Sequence, residues 1–443
     1  MSKYKRYPAY KDSGVEWLGD IPAHWELHRL KQCLRLVTKK TAERCHPVAL
    51  ENIESWTGRY IASDSEFEAD GIGFEPGDIL FGKLRPYLAK VLWAKFSGEA
   101  VGDIYVMRPE PRTNGQYAEY QVLNKEFIKT VDSATFGTKM PRVSWGFLGD
   151  MAMLCPPPNE QKGIVETLDR ETTRIDALIA KKTRFIELLR EKRQALITRV
   201  VTKGLDPTVK MKDSGVEWLG EVPEHWIVSA FKRIVLIPIT DGPHETPEFL
   251  DTGIPFVSAE AVSSGSIDFN KIRGYISHED HAQYSKKYRP KIGDIYMVKS
   301  GATTGVTAIV ETDIDFNIWS PLAVIRCGSN ASPRFVLNFM RSKNFQEAIA
   351  TNWSFGTQQN IGMGVIEDLA VLVPPLDEQK SIATLLSVRT ARIDALAAQT
   401  KHSMSLLHER RSALITAAVT GLIDVRHFSN ESINNLANAG AAS

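Results

Sequence analysis

Two short segments hold the residues best placed to do chemistry alone. Glu160-Gln161-Lys162 and Glu378-Gln379-Lys380 each set a carboxylate two positions before a lysine. A nuclease can use that spacing, with carboxylates on magnesium and the lysine beside the scissile phosphate. Both segments, however, follow proline runs, Pro156-Pro157-Pro158 and Pro374-Pro375, and both open long apolar-periodic stretches. Acidic residues in a first helical turn are favoured by the helix dipole. The placement therefore points to helix starts, with Asn159 and Asp377 as N-caps, rather than to a metal site. His24 and His225, each just before a Trp, read as packing partners of Trp25 and Trp226 rather than as ligands.

A second set of residues is basic, polar and aromatic. Lys83, Arg85, Tyr87 and Lys90 follow Gly77-Asp78-Ile79-Leu80, and Lys139, Arg142 and Trp145 follow Phe136-Gly137. The matching places later in the chain hold Lys299, Ser300, Thr303 and Thr304, then Gln358, Gln359 and Asn360. Arg, Lys, Gln and Asn can pair with base edges, while Ser, Thr and Lys suit phosphates. Composition alone leaves ordinary solvated loops equally open. Different polar sets at corresponding sites favour two readers of two different nucleic-acid sequences.

The elements that position these sets occur twice. Lys11 to Gly19 returns letter for letter as Lys212 to Gly220, an offset of 201. The offset is 216 at Gly293-Asp294-Ile295, 219 at Phe355-Gly356-Thr357 and 218 at the Glu-Gln-Lys segments. All 17 extra residues, the difference between 218 and 201, thus enter the divergent region of the second copy. Each copy reads as an anchor, a variable head of mixed strands and helices, and a long helix. Ala118 to Val131 and Arg334 to Ala350 read as short helices of the heads.

From Asn159 to Thr202 there is no proline, and Leu168, Ile175, Leu189 and Leu196 fall at heptad steps. Ile382, Leu386, Ile393, Leu396, Leu407 and Leu414 continue the pattern in the second copy. Such a stripe predicts a coiled-coil seam whose partner is the other copy. A helix of about 44 residues would be roughly 66 Å long. Lys203 to Lys210 reads as a linker, and His427 to Ser443 as a frayed tail.

A chain of 443 residues, 43% hydrophobic and 24% charged, implies two to four globular domains. A net charge of +1 argues against a purely electrostatic nucleic-acid binder but permits local basic surfaces. No apolar run suffices for a membrane span, and no secretory leader is visible at the N-terminus. Cys33, Cys45, Cys155 and Cys327 show no paired spacing, and the repeat has Ile234 for Cys33 and Val373 for Cys155. Free thiols in a reducing cytoplasm follow, rather than disulfides or zinc. A Walker A loop, a dinucleotide fingerprint and an Asn/Asp-Pro-Pro-Tyr/Phe methyltransferase motif are all missing from the sequence.

With these motifs in view, the chain resembles the specificity subunit of type I restriction-modification systems over residues 10–425. The resemblance is carried by the Ser-Gly-Val-Glu-Trp-Leu-Gly anchors and their His-Trp pairs, and by the Glu-Gln-Lys helix openings. Arg174 to Leu178 with Arg392 to Leu396, and Ala195 to Thr198 with Ala413 to Thr416, add to it. It implies an α+β chain: two α/β target-recognition domains in pseudo-twofold repeat, separated by two conserved helices in an antiparallel coiled coil. The implied segments are 1–155 for the first anchor and recognition domain and 156–203 for the first spacer helix. They continue with 204–373 for the linker and second recognition domain, 374–426 for the second helix and 427–443 for the tail.

It further implies a chain with no catalytic residue and no metal of its own, reading a split target in double-stranded DNA. Two modification subunits would dock on it, bringing S-adenosylmethionine for adenine methylation. Restriction subunits would bring ATP, magnesium, a motor and a nuclease. A ruler of this kind is geometrically plausible, because two major-groove readers on one DNA face lie roughly 34–36 Å apart. Two other readings stay open at this point: a nuclease working through the Glu-x-Lys segments, and a coiled-coil tether whose heads bind proteins.

Overall fold

The computed structural model describes residues 5–41, 46–63, 71–137, 139–352 and 359–426. The chain divides into two compact units, Met1–Thr183 with Lys401–Ser443, and Arg184–Thr400. The divisions fall inside the two long helices, Pro158–Lys203 and Leu376–Val419. Each unit thus holds one anchor, one head, the start of one long helix and the end of the other.

In the first unit the head is organised on an antiparallel sheet ordered Leu34–Val37, Ile104–Pro109, Ile79–Gly82, Val91–Trp93. In the second unit the order Thr240–Asp241, Leu322–Ile325, Ile295–Val298, Thr307–Ile309 repeats it. The Gly-Asp-Ile turns explain why these sheets share a register. Gly77 and Gly293 take φ of +99° and +93°, a left-handed conformation that glycine adopts without strain. The following aspartates are buried and clamped by an arginine from the neighbouring strand. Arg108 Nε and Nη2 donate to the two oxygens of Asp78 at 2.7 and 2.8 Å, and Arg326 does the same to Asp294 at 2.7 and 2.7 Å. A bidentate pair of this kind fixes orientation as well as charge.

The helical part of each head departs from expectation. Instead of one short helix there are two, Gly115–Val122 with Lys125–Ser133, and Pro333–Met340 with Lys343–Thr351. Asn124 and Ser342 interrupt them as N-caps, their side chains accepting from Glu126 N and Phe345 N. The long helices also begin earlier than expected. Pro158 stands at the first helical position, where its missing N–H costs nothing, so Asn159 and Asp377 lie inside the helix rather than capping it.

Each unit buries its own seam. In the first, Ile164, Leu168, Leu414, Ile415 and Ala418 form one core with Trp25 and Leu18 of the anchor. In the second, Ile197, Val201, Ile382 and Leu386 join Trp226 and Leu219. The expected seam is not uniform along the helices. Leu168, Ile175 and Leu189 are buried, whereas Leu178, Phe185 and Leu396 are each 41% exposed. Burial is deepest where the anchors and heads close over the helices.

Cys33 and Cys155 are both buried with sulfurs 3.4 Å apart, a contact their scattered spacing did not suggest. No helix among the described residues is long and apolar enough to cross a membrane.

Candidate nucleic-acid interface

In the first unit the chain leaves strand Ile79–Gly82 into Lys83. Lys83 N donates to Asp103 O at 2.9 Å, and Lys83 O accepts from Val143 N at 3.0 Å. Two residues on, Arg85 N donates to Pro141 O at 2.8 Å. These bonds lace residues 83–85 to residues 141–143, which are distant in sequence.

The second unit repeats the lacing bond for bond. Lys299 N donates to Pro321 O at 2.8 Å, Ile361 N to Lys299 O at 2.9 Å and Gly301 N to Gln359 O at 3.0 Å. Val143 and Ile361, each 1% exposed, plug the corresponding position. One backbone frame therefore carries two different sets of side chains.

In the first head the frame gathers most of the expected residues. Arg142 Nη2 lies 2.8 Å from Asp103 Oδ2, and Lys83 Nζ lies 3.7 Å from Oδ1 of the same carboxylate. Lys83 Nζ also stands over the Tyr105 ring at 5.4 Å, and Trp145 meets that ring edge-on at 5.7 Å. Arg85, Tyr87 and Lys139 are exposed around this group. Lys90 is not part of it. Its Nζ turns inward to the carbonyls of Leu50 and Ile53 at 2.6 and 2.8 Å, and burial lowers its pKa.

In the second head Ser300 faces Asn360 across an isolated bridge, and Gln359 is exposed beside them. Thr304 Oγ1 donates to Gly301 O at 2.7 Å and so shapes the loop, while Thr303 accepts from Val306 N through its carbonyl. Gln358 lies outside the described residues. Lys299 Nζ is 3.3 Å from Asp241 Oδ2, and Lys287 Nζ is 2.6 Å from Oδ1. Burial raises the Asp241 pKa, but the two lysines outweigh it and hold the carboxyl below its usual range.

The sequence reading missed Asp103 and Asp241. The lysine at the end of each Gly-Asp-Ile strand is repeated, but its carboxylate comes from unrelated places in the two heads. Repeat matching finds only equivalent positions, so it could not have paired them. The reading also missed Phe136 and Met140 as surface residues, although an aromatic inside a polar loop was a visible signal.

The Glu-x-Lys segments prove to be structural clasps. Glu160 accepts from Trp25 Nε1 at 3.1 Å and lies 2.9 Å from His24 Nε2. Glu378 meets Trp226 Nε1 at 3.1 Å and His225 Nε2 at 2.9 Å. The histidines sit edge-on to their neighbouring Trp rings, as expected, while holding the carboxylate. The intervening glutamines close the head. Gln161 accepts from Asn114 N and donates to Arg112 O and Pro156 O. Gln379 accepts from Ser332 N and donates to Asn330 O and Pro374 O. Among the described residues no group of three or more His, Cys, Asp or Glu is placed to hold a metal ion.

The sequence pattern of the type I restriction modification DNA specificity domain matches residues 244–403. The type I restriction enzyme EcoBI specificity subunit of Escherichia coli is 23% identical over 67% of this chain and 63% of its own length. The MjaVIII specificity subunit of Methanocaldococcus jannaschii is 21% identical over 92% of this chain and 95% of its own. The chain thus carries the pattern of a type I restriction modification DNA specificity domain in its second half and is similar along most of its length to specificity subunits of such systems.

Solved structures share the fold of this chain. A chain solved in work on complex assembly and conformational transition of the type I R-M system superposes with a TM-score of 0.70 at 16% identity. That match covers 90% of this chain and 98% of the other. The HsdS subunit from Thermoanaerobacter tengcongensis gives a TM-score of 0.52 at 17% identity, covering 93% and 99%. The alignment with the EcoBI subunit spans less than two thirds of that protein.

Proposed function

We propose that this chain is a specificity subunit that reads a bipartite sequence in double-stranded DNA, one half-site per head, without catalysing a reaction itself. The observation that carries the proposal is the repeated lacing of Lys83 to Val143 and Lys299 to Ile361. One frame presents Arg, Lys and aromatic side chains in the first head and Ser, Thr, Gln and Asn in the second. Arg, Lys, Gln and Asn pair with base edges while Ser, Thr and Lys suit phosphates, so the two sets suit two different half-sites.

The candidate DNA contacts are Arg85, Tyr87, Lys139, Arg142 and Trp145 with Lys83 in the first head. In the second they are Ser300, Thr303, Thr304, Gln359 and Asn360 with Lys299, and Gln358 by sequence. The paired long helices serve as the spacer and as docking sites for two modification subunits. Those subunits bring S-adenosylmethionine and methylate adenine. Restriction subunits bring ATP hydrolysis, magnesium and cleavage. Such an assembly works in the cytoplasm, where invading DNA is met.

The test is to co-express the chain with its modification subunit and map methylated adenines across the host genome. A split motif of constant spacing is expected. Exchanging residues 26–155 for those of a relative should change one half of it. Marks without a split motif, or an exchange that changes both halves, would overturn the proposal. Cleavage by the purified chain alone with magnesium, lost in Glu378→Ala, would instead favour the nuclease reading.

A further inference from the structure

The segment 136–142 of the first head carries apolar surface amid cations. Phe136 is 62% exposed and Met140 52%. Phe136 and Arg142 exchange both backbone hydrogen bonds at 3.0 Å, so the ring projects from a fixed support rather than a free loop. Arg85 N donates to Pro141 O, adding a second tether. Gly137 holds φ of +95°, a left-handed conformation that glycine adopts without strain. Lys139, Arg142 and Arg85 are exposed on the same frame. The carboxylate of this cluster, Asp103, is already bonded to Arg142 at 2.8 Å.

A large aromatic side chain held in water on a hydrogen-bonded support, amid exposed cations, is well placed to meet a partner. A protein would accept an exposed Phe, but a cationic surround with its acid neutralised favours a polyanion. Duplex DNA combines phosphates with an apolar base stack. Proteins that exploit both insert Phe, Leu, Ile, Met or Pro at a base step.

We propose that Phe136 is an apolar wedge that unstacks one base step in the half-site of the first head. Lys139 and Arg85 reach the flanking phosphates. The wedge rests on the DNA-reading role proposed above. It also gives the first head a shape-dependent component of specificity, because pyrimidine–purine steps are the easiest to unstack.

The test uses the chain co-purified with its modification subunit and duplexes bearing its own mapped target. 2-Aminopurine is placed in turn along the first half-site. With the unaltered complex, fluorescence should rise at one step, and it should stay quenched with Phe136→Ala. Target affinity should fall roughly ten-fold in that variant, while non-target binding stays unchanged. Phe136→Leu, which keeps an apolar wedge, should restore both signals, which a folding defect would not allow. Full target affinity in Phe136→Ala would overturn the wedge, as would equal losses on target and non-target DNA. Loss of the modification subunit from the variant complex would reassign Phe136 to a protein interface. Failure of the unaltered complex to prefer any duplex would refute the DNA reading itself, before any variant is compared.

Discussion

Arg411 Nε lies 3.1 Å from Asp176 Oδ1 in the first unit, and Arg193 Nε lies 3.0 Å from Asp394 Oδ1 in the second. The offset of 218 carries Asp176 onto Asp394 and Arg193 onto Arg411, so the same inter-helix pair is built once in each unit. Their surroundings differ. The Arg411 side chain is 8% exposed and donates further to Trp56 O and Thr57 O, whereas that of Arg193 is 32% exposed. Arg411→Ala should therefore cost about 2–3 kcal/mol, because it takes an enclosed guanidinium from a part-buried carboxylate and two carbonyls. Arg193→Ala should cost about 1 kcal/mol or less. Denaturant titration of both variants checks this, and equal losses would contradict it.

The clasp between helix start and anchor gives a second expectation. Glu160→Ala leaves the buried Trp25 indole without an acceptor and should lower stability by about 1–3 kcal/mol. Glu378→Ala should cost less, since its side chain is 25% exposed against 6% for Glu160. Trp fluorescence during thermal unfolding follows both.

Burial makes stability depend on pH at one carboxylate. Glu119 is almost fully enclosed, and burial pushes its pKa up to about 8; its Oε1 accepts from Trp93 N at 3.0 Å. The folded state keeps this proton while the unfolded chain, with an ordinary carboxylate near 4.3, has lost it. Stability contributed here therefore falls as pH rises from about 4.3 to about 8, by at most about 1.4 kcal/mol per pH unit, and is level above that. Glu119→Gln should flatten this slope. A variant with an unchanged slope between pH 5 and 8 would contradict the assignment.

Arg85 sits at φ of +50°, where the repeat places Gly301 at +103°. A left-handed conformation costs a non-glycine residue roughly 1–2 kcal/mol. Arg85→Gly should raise the melting temperature and weaken target binding, exchanging strain for a lost cation. Unchanged stability would mean that the arginine is relaxed there.

Much of this was legible in the sequence. The nine-residue anchor repeat, the Gly-Asp-Ile turns and the helical stripes depend on short-range patterns, and local sterics and burial write such patterns directly into the chain. The loops that carry Lys83 and Arg142, and Lys299 and Asn360, were also visible as corresponding places. What the sequence could not contain was distance between remote segments. Only the fold put Asp103 beside Arg142 and Asp241 beside Lys299, turned Lys90 inward and gave Glu160 to Trp25. It also decided which apolar residues stay outside. Leu168 and Leu178 look alike in the helical pattern, but only Leu168 is covered by an anchor. Periodicity specifies a face, and tertiary packing decides whether anything meets it.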